Sequence, residues 1–335
     1  MRRVFTSLLG IFVAVLLLCS GAAFWWLNAP MPLKLKPGSE VADLEIDFGT
    51  AANAVAEIVV ASGADVSVPL LRMWFRVSGQ ARLIKAGSYE IARGTTPRKL
   101  LSMLVRGEET LKSITLVEGW TFLQVRAMLQ KSEYLTQDTV ALSPDVIMEK
   151  LGRPGVHPEG RFFPDTYTHS KGASDLSVLK RAARAMDRRL ETVWSLRSAD
   201  TPLTSADQAL VLASIVEKET GKPSDRGQIG GVFSNRLRLG MPLQTDPTVI
   251  YGMGVRFDGN LRKRDLQLDT PYNTYTRNGL PPTPIAMPGK AALLAAVQPA
   301  PTKALYFVSR GDGSSEFSDN LDAHNRAVNK YLRGR

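Results

Sequence analysis

The chain opens on an unbroken apolar block. Residues 4–27 carry no charge, Arg2 and Arg3 precede them, and Trp25 and Trp26 close the block. About 20 apolar residues in a helix span a bilayer core, so the pattern predicts a transmembrane helix over 4–27 behind a short tail, residues 1–3. The two arginines place that tail in the cytoplasm, and the tryptophans fall where aromatic belts gather. A cleaved signal peptide is the competing reading, because Gly21 and Ala23 offer the small residues of a cleavage site. The apolar run continues past that site to Leu27, which favours an anchor. Under either reading, everything beyond residue 28 works outside the cytoplasm.

After the block the pattern changes. Residues 28–39 are short, proline-bearing and basic, as in a juxtamembrane linker. Residues 40–112 read as a small mixed module, with strand-like runs at 57–60 and 83–90. In that module Thr96 is placed to cap a helix that has Pro97 at its first position and Leu100, Leu101 and Leu104 on one face. Residues 113–335 form a second mixed domain. A strand is expected at 114–117 and a helix around 123–129. A long amphipathic helix follows over 175–196, with Lys180, Arg181, Arg184, Arg188 and Arg189 opposite its apolar side. A further helix is expected from Ser205 to Thr220, stopped by Gly221 and Pro223, with Ser205 and Gln208 in capping-box positions. Prolines stiffen the stretch after Gly252; helices return at 290–297 and 322–332, and a strand at 305–309. The fold class is α+β.

Composition narrows the partners. The balance of 42 basic against 32 acidic residues, a formal net charge of +10, favours an anionic partner such as nucleic acid, lipid headgroups or an acidic polymer. Nucleic acid drops out once the chain is exported. Cys19 is the only cysteine and lies inside the apolar block, so disulfides and cysteine nucleophiles are excluded from the exported part. His157, His169 and His324 have no metal-ligand spacing and no glycine-rich phosphate loop is present, so no cofactor or metal is expected.

The candidate chemistry lies in VLASIVEKET, residues 211–220. On the helical period Leu212, Ile215 or Val216, and Glu219 share a stripe, while Glu217 is rotated about 200° from Glu219. Neither acid is on a clearly polar face. A carboxyl ending an apolar stripe near a helix C-terminus is disfavoured as an anion by desolvation and by the helix dipole. Such a carboxyl, kept protonated near neutral pH, suits general-acid cleavage of a glycosidic bond. The bland alternative is that both acids pair with basic residues at an ordinary helix end. The turn segments around Gln244, Thr245 and Asp246, and around Tyr272, Asn273, Thr274 and Tyr275, weigh against it, because their polar and aromatic groups suit sugar hydroxyls and ring faces. Ser214 and Lys218 share a helix face as a Ser/Lys dyad would, but Ser214 reads better as a packing residue.

ASIVEKET, GVFSNRLRLGMPLQTDPTVIYG, YNTYTRNGLPPTPIAMPG and NLDAHN, together with LVEG at 116–119 and GRFFPDTY at 160–167, resemble the endolytic murein transglycosylase (YceG-like) family of bacteria over nearly the whole chain. The resemblance implies a single-pass inner-membrane protein with a periplasmic LysM-like module (40–112) and a catalytic domain (113–335) built on a lytic-transglycosylase-type catalytic helix. It implies cleavage of the MurNAc–GlcNAc β-1,4 bond within glycan strands, leaving 1,6-anhydroMurNAc ends and ending the growth of nascent strands. Peptidoglycan strands are then the substrate, and peptidoglycan synthases the expected neighbours. In lytic transglycosylases the catalytic glutamate is followed by a small hydroxyl residue, which favours Glu219, followed by Thr220, over Glu217 as the catalytic acid. Glu217 becomes a supporting residue. Gln244, Thr245, Asp246, Tyr251, Tyr272, Asn273, Thr274 and Tyr275 become substrate-binding candidates by motif match. The rival from another class is a membrane-tethered glycan-binding scaffold without activity.

Overall fold

In the computed structural model, which describes residues 2–35 and 39–334 and side chains from residue 10 onward, the apolar block is one helix, α1 (Arg2–Asn28). Residues Gly10–Asn28 of it are long and apolar enough to cross a membrane, and none of that span is buried within the protein. The chain then divides into two compact units: residues 1–112 with 169–172, and residues 113–168 with 173–335.

The first unit has the order strand, helix, helix, strand, helix. Strands β1 (Val41–Ile46) and β2 (Gly87–Ala92) pair antiparallel, in register from Val41 opposite Ala92 to Ile46 opposite Gly87. Between them lie α2 (Ala52–Ala61) and α3 (Val68–Val77), and α4 (Pro97–Arg106) follows. Residues 57–60, whose β-branched run reads as a strand, fall inside α2. There Val55, Ala56 and Val59 recur at helical spacing and are buried; tertiary burial of that stripe overrides β-propensity. The cap on α4 forms as expected, with the Thr96 hydroxyl accepting from the Lys99 amide. The segment after α1 is laid against this unit: the Met31 amide donates to Thr95 and the Lys34 amide to Gly63. Leu44, Val59, Leu71, Phe75, Ile91 and Leu100 fill the core.

Strand β3 (Leu111–Thr115) enters the second unit at Ser113, and α5 (Phe122–Gln130), β4 (Leu135–Thr136) and α6 (Pro144–Lys150) follow. Strand β5 (Thr166–Ser170) leaves the second unit at His169, and the unit resumes with β6 (Ala173–Ser174) and α7 (Asp175–Ser195). Strand β3 pairs with β5, and β4 with β6 in parallel. Next come α8 (Ala206–Glu219), α9 (Pro223–Arg238), α10 (Asp246–Met253), the short α11 (Lys263–Gln267) and α12 (Lys290–Val297). The hairpin β7 (Tyr306–Ser309) and β8 (Ser315–Ser318), then α13 (Leu321–Val328), complete the unit.

Helix α8 is the spine of this unit. Every residue from Ala209 to Val216 is buried, so its apolar character on all sides has a cause: it runs through the core. Helix α12 packs on both α8 and α9. Glycine permits the close approach: a Cβ at Gly230 would fall on the carbonyl oxygen of Ala295 in α12.

Candidate active site

The ends of α8 are set by its sequence. The Ser205 hydroxyl accepts from the Gln208 amide, while the Gln208 side chain accepts from Thr204 and not from Ser205 itself, one residue off the capping box. At the other end, Pro223 occupies the first turn of α9. The chain therefore leaves the helix at Thr220, which is extended and whose hydroxyl accepts from the Lys222 amide. This corner makes Glu219 the last helical residue.

The two acids of α8 go to different places. Glu217 faces α9 and α12: its carboxylate accepts from Arg226 at 3.3 Å and from the Gly289 amide at 2.8 Å. Burial raises its pKa, against the pull of those two donors. Glu219 opens onto a cleft of about 450 Å³. Burial first, and the nearby Asp246 carboxylate second, push its pKa up to about 7, although the Thr245 hydroxyl donates to its Oε1 and opposes the shift. A carboxyl in that state is poised to give and take a proton near neutral pH.

The wall opposite α8 is the turn into α10. Gln244 has a left-handed backbone (φ 51°), a conformation sparsely populated by non-glycine residues. The turn is held from behind: the Gln244 amide donates to the Thr274 carbonyl at 3.0 Å, and the Thr245 amide to the Thr274 hydroxyl at 3.1 Å. Asp246, at the start of α10, accepts from the Tyr275 hydroxyl at 2.5 Å. Asn273 organises the second turn and is fully buried. Its amide donates to the carbonyls of Leu266 and Leu268, and its oxygen accepts from the Tyr275 amide.

Of the residues singled out from the sequence, Glu219, Gln244, Asp246 and Tyr275 line the cleft together. Thr245, Asn273 and Thr274 lie behind it as buried supports. Tyr251 and Tyr272 form an edge-to-face pair, ring centres 5.0 Å apart, and are not among the cleft-lining residues. The Ser214 hydroxyl donates to the Val211 carbonyl and accepts from the Ile285 amide. Lys218 instead donates to the Gly119 carbonyl.

Other residues reach the cleft without having been singled out. Arg236 binds the carbonyls of Leu305, Pro242 and Leu243 and lies 5.1 Å over the Tyr306 ring. His324 stacks on the same Tyr306 ring, with ring centres 5.1 Å apart. Burial and the Arg236 charge lower the His324 pKa, which favours a neutral ring. Asn325 lines the same wall. Their signal was membership of the SNRLRLG and NLDAHN stretches, which carry no periodicity that points inward. A second carboxyl, Glu159, is also buried. It accepts from the Phe122 amide and the Tyr251 hydroxyl, and burial pushes its pKa up to about 7. Among the described residues no group of three or more His, Cys, Asp or Glu side chains is gathered as a metal site.

Residues 44–330 match the YceG-like family, and the chain belongs to that family. It is 30% identical over 330 residues, 93% of this chain and 91% of the relative, to the endolytic murein transglycosylase of Bacillus subtilis (strain 168). It is 28% identical over 286 residues to that of Streptococcus pneumoniae serotype 2 (strain D39), covering 75% of this chain but only 51% of the relative. Among solved structures it is similar to a putative yceG-like protein from Listeria monocytogenes, with a TM-score of 0.53 and 26% identity over 86% of this chain and 98% of that one.

Proposed function

We propose that this protein is a membrane-anchored lytic transglycosylase that cuts MurNAc–GlcNAc β-1,4 bonds within murein strands and leaves 1,6-anhydroMurNAc ends. The observation that carries the reading is Glu219: a shielded carboxyl with a pKa near 7, opening on a cleft of aromatic, amide and carboxylate groups. Relatives named endolytic murein transglycosylase supply the substrate class.

The chemistry follows from the site. Because Thr245 occupies Oε1, the acid proton belongs on Oε2. That proton passes to the bridging oxygen as the bond to the MurNAc C1 breaks, leaving positive charge shared between C1 and the ring oxygen. Asp246, held by Tyr275, supplies the negative charge that offsets it. Glycosidases often place two carboxylates about the scissile bond, and preorganised charge is where such a site gains most. The Glu219 carboxylate then takes the proton of the C6 hydroxyl, whose oxygen closes on C1. Proton and electron pairs balance without water. Glu217 acts by fixing the end of α8 through Arg226 and the Gly289 amide. Around this centre, Gln244 is a cleft contact, Thr245, Asn273 and Thr274 are supports, and Tyr251 and Tyr272 act at one remove. The first unit, with its strand–helix–helix–strand order, is a LysM-like glycan-binding module. α1 is an inner-membrane anchor that holds the catalytic unit in the periplasm, beside peptidoglycan synthases, where cleavage would end nascent strands.

The test is incubation of the full chain with purified murein, followed by mass analysis of the products. Anhydro ends that form with the wild type and Glu217→Gln, but not with folded Glu219→Gln, are expected. Reducing ends in their place would make the protein a hydrolase. Binding without any products would make it a scaffold.

A further inference from the structure

The first unit carries an apolar surface that its own core does not use. Helix α3 buries Leu71 and Phe75. Leu70, Met73 and Val77, spaced to share another side of the helix, stand 42%, 58% and 75% exposed. Single exposed apolar residues are ordinary on a soluble surface, but a contiguous stripe marks a surface that something covers. These three line a groove of about 560 Å³ whose other wall is α1, from Cys19 to Leu27. The exposed stripe of α3 therefore runs alongside the last turns of the one described helix able to cross a membrane.

Depth and charge agree with one occupant. With Trp25 and Trp26 at the membrane–water boundary, where aromatic belts sit, Cys19 lies about 9 Å below it along the helix. Amphipathic helices bury their apolar face to a depth of roughly 5–10 Å. Arg76 stands in the last turn of α3, and the Arg98 guanidinium lies 5.8 Å over the Phe24 ring. Arg98, beside Phe24 and next to the tryptophan boundary, places positive charge at the level of lipid headgroups, with its stem able to lie along apolar surface. Arg72 is turned away to Glu57 and the Asn53 carbonyl.

We infer that α3 is an interfacial helix, and that the first unit is seated in the outer face of the bilayer with Leu70, Met73 and Val77 among the lipid acyl chains. Lipid fills the groove between α1 and α3. The inference rests on the reading of α1 as a retained anchor. Continuity of the patch with that membrane helix selects the bilayer over a protein partner.

The full chain, reconstituted in vesicles of phosphatidylethanolamine and phosphatidylglycerol, provides the test. In a Cys19→Ser background, single cysteines are introduced by Met73→Cys, Val77→Cys and, as a control on the exposed β7–β8 turn, Asp312→Cys. Each is labelled with the polarity-sensitive dye NBD. Emission at 73 and 77 should be blue-shifted and quenched severalfold by a lipid carrying a shallow nitroxide, while 312 stays water-like and unquenched. Water-like emission at 73 and 77 overturns the seat. So does a blue shift without lipid quenching, which would mean that protein covers the stripe. The intact mass of the purified chain reports on the anchor separately: loss of the N-terminal residues overturns the retained-anchor reading itself, whatever the dyes show.

Discussion

Glu219 is held in a condition that its fold would be better off without. Its ordinary pKa is 4.5, and in the folded protein it is about 7. Below pH 4.5 both folded and unfolded chains hold the proton, and the group has no effect on stability. Between 4.5 and 7 the unfolded chain ionises while the folded one does not, so stability falls as pH rises and the loss is complete above 7. Glu219→Gln removes that loss. Denaturant titrations should therefore find the variant more stable by about 3 kcal/mol at pH 8, with the gap closing toward pH 4.5, even though activity is gone. A group kept only for structure would not show stability and activity moving in opposite directions.

Asp246 has its own signature at this scale. Its charge helps to hold Glu219 protonated, so Asp246→Asn should move the alkaline limb of kcat/KM to lower pH. If it also offsets charge at C1, kcat should fall by roughly 10²-fold, the scale of losing one preorganised electrostatic partner. A fall in activity with the limb unmoved would count against that role. Helical period alone could not separate Glu217 from Glu219, because α8 is buried on every side. What divides them is distant in sequence: the Gly289 amide and Arg226 claim one, and Thr245 the other.

Among the elements, the packing of α12 on α8 and α9 fixes where the end of α8 points. Gly230→Ala places a methyl group against the Ala295 backbone, which has no flexible atom to yield. A cost of about 1–3 kcal/mol is expected from overpacking, read as a lower urea midpoint with an unchanged slope. Activity should fall as well, because the same helices carry the Glu217 contacts. Elements with a strong local signal were legible: α1, the capped start of α4, α7 and α8. Residues 57–60 were not, since a β-branched run is read correctly only once its alanine neighbours have something to pack on. Strand β8 was not foreseen either: it is short, polar in part, and defined by pairing with β7. The cleft residues Arg236 and His324 share that limitation, because each meets the site through tertiary partners.

For the molecule as a whole, the division into two units is not a division of the chain at one point. Residues 169–172 belong to the first unit: the Ser88 hydroxyl donates to the Lys171 carbonyl at 2.8 Å, and Lys171 pairs with Asp43 at 2.5 Å. A protease site inserted at 112/113 and cut should therefore leave two pieces that elute together on native size exclusion and part only in denaturant. Separation under native conditions would show that these contacts hold little.

That threading bears on heredity. A single crossover in the gene could not exchange the first unit for a homologous one, since the segment that completes it is encoded far downstream, inside the sequence of its neighbour. The two units are bound to be inherited together, and a substitution at Asp43 invites its compensation at Lys171.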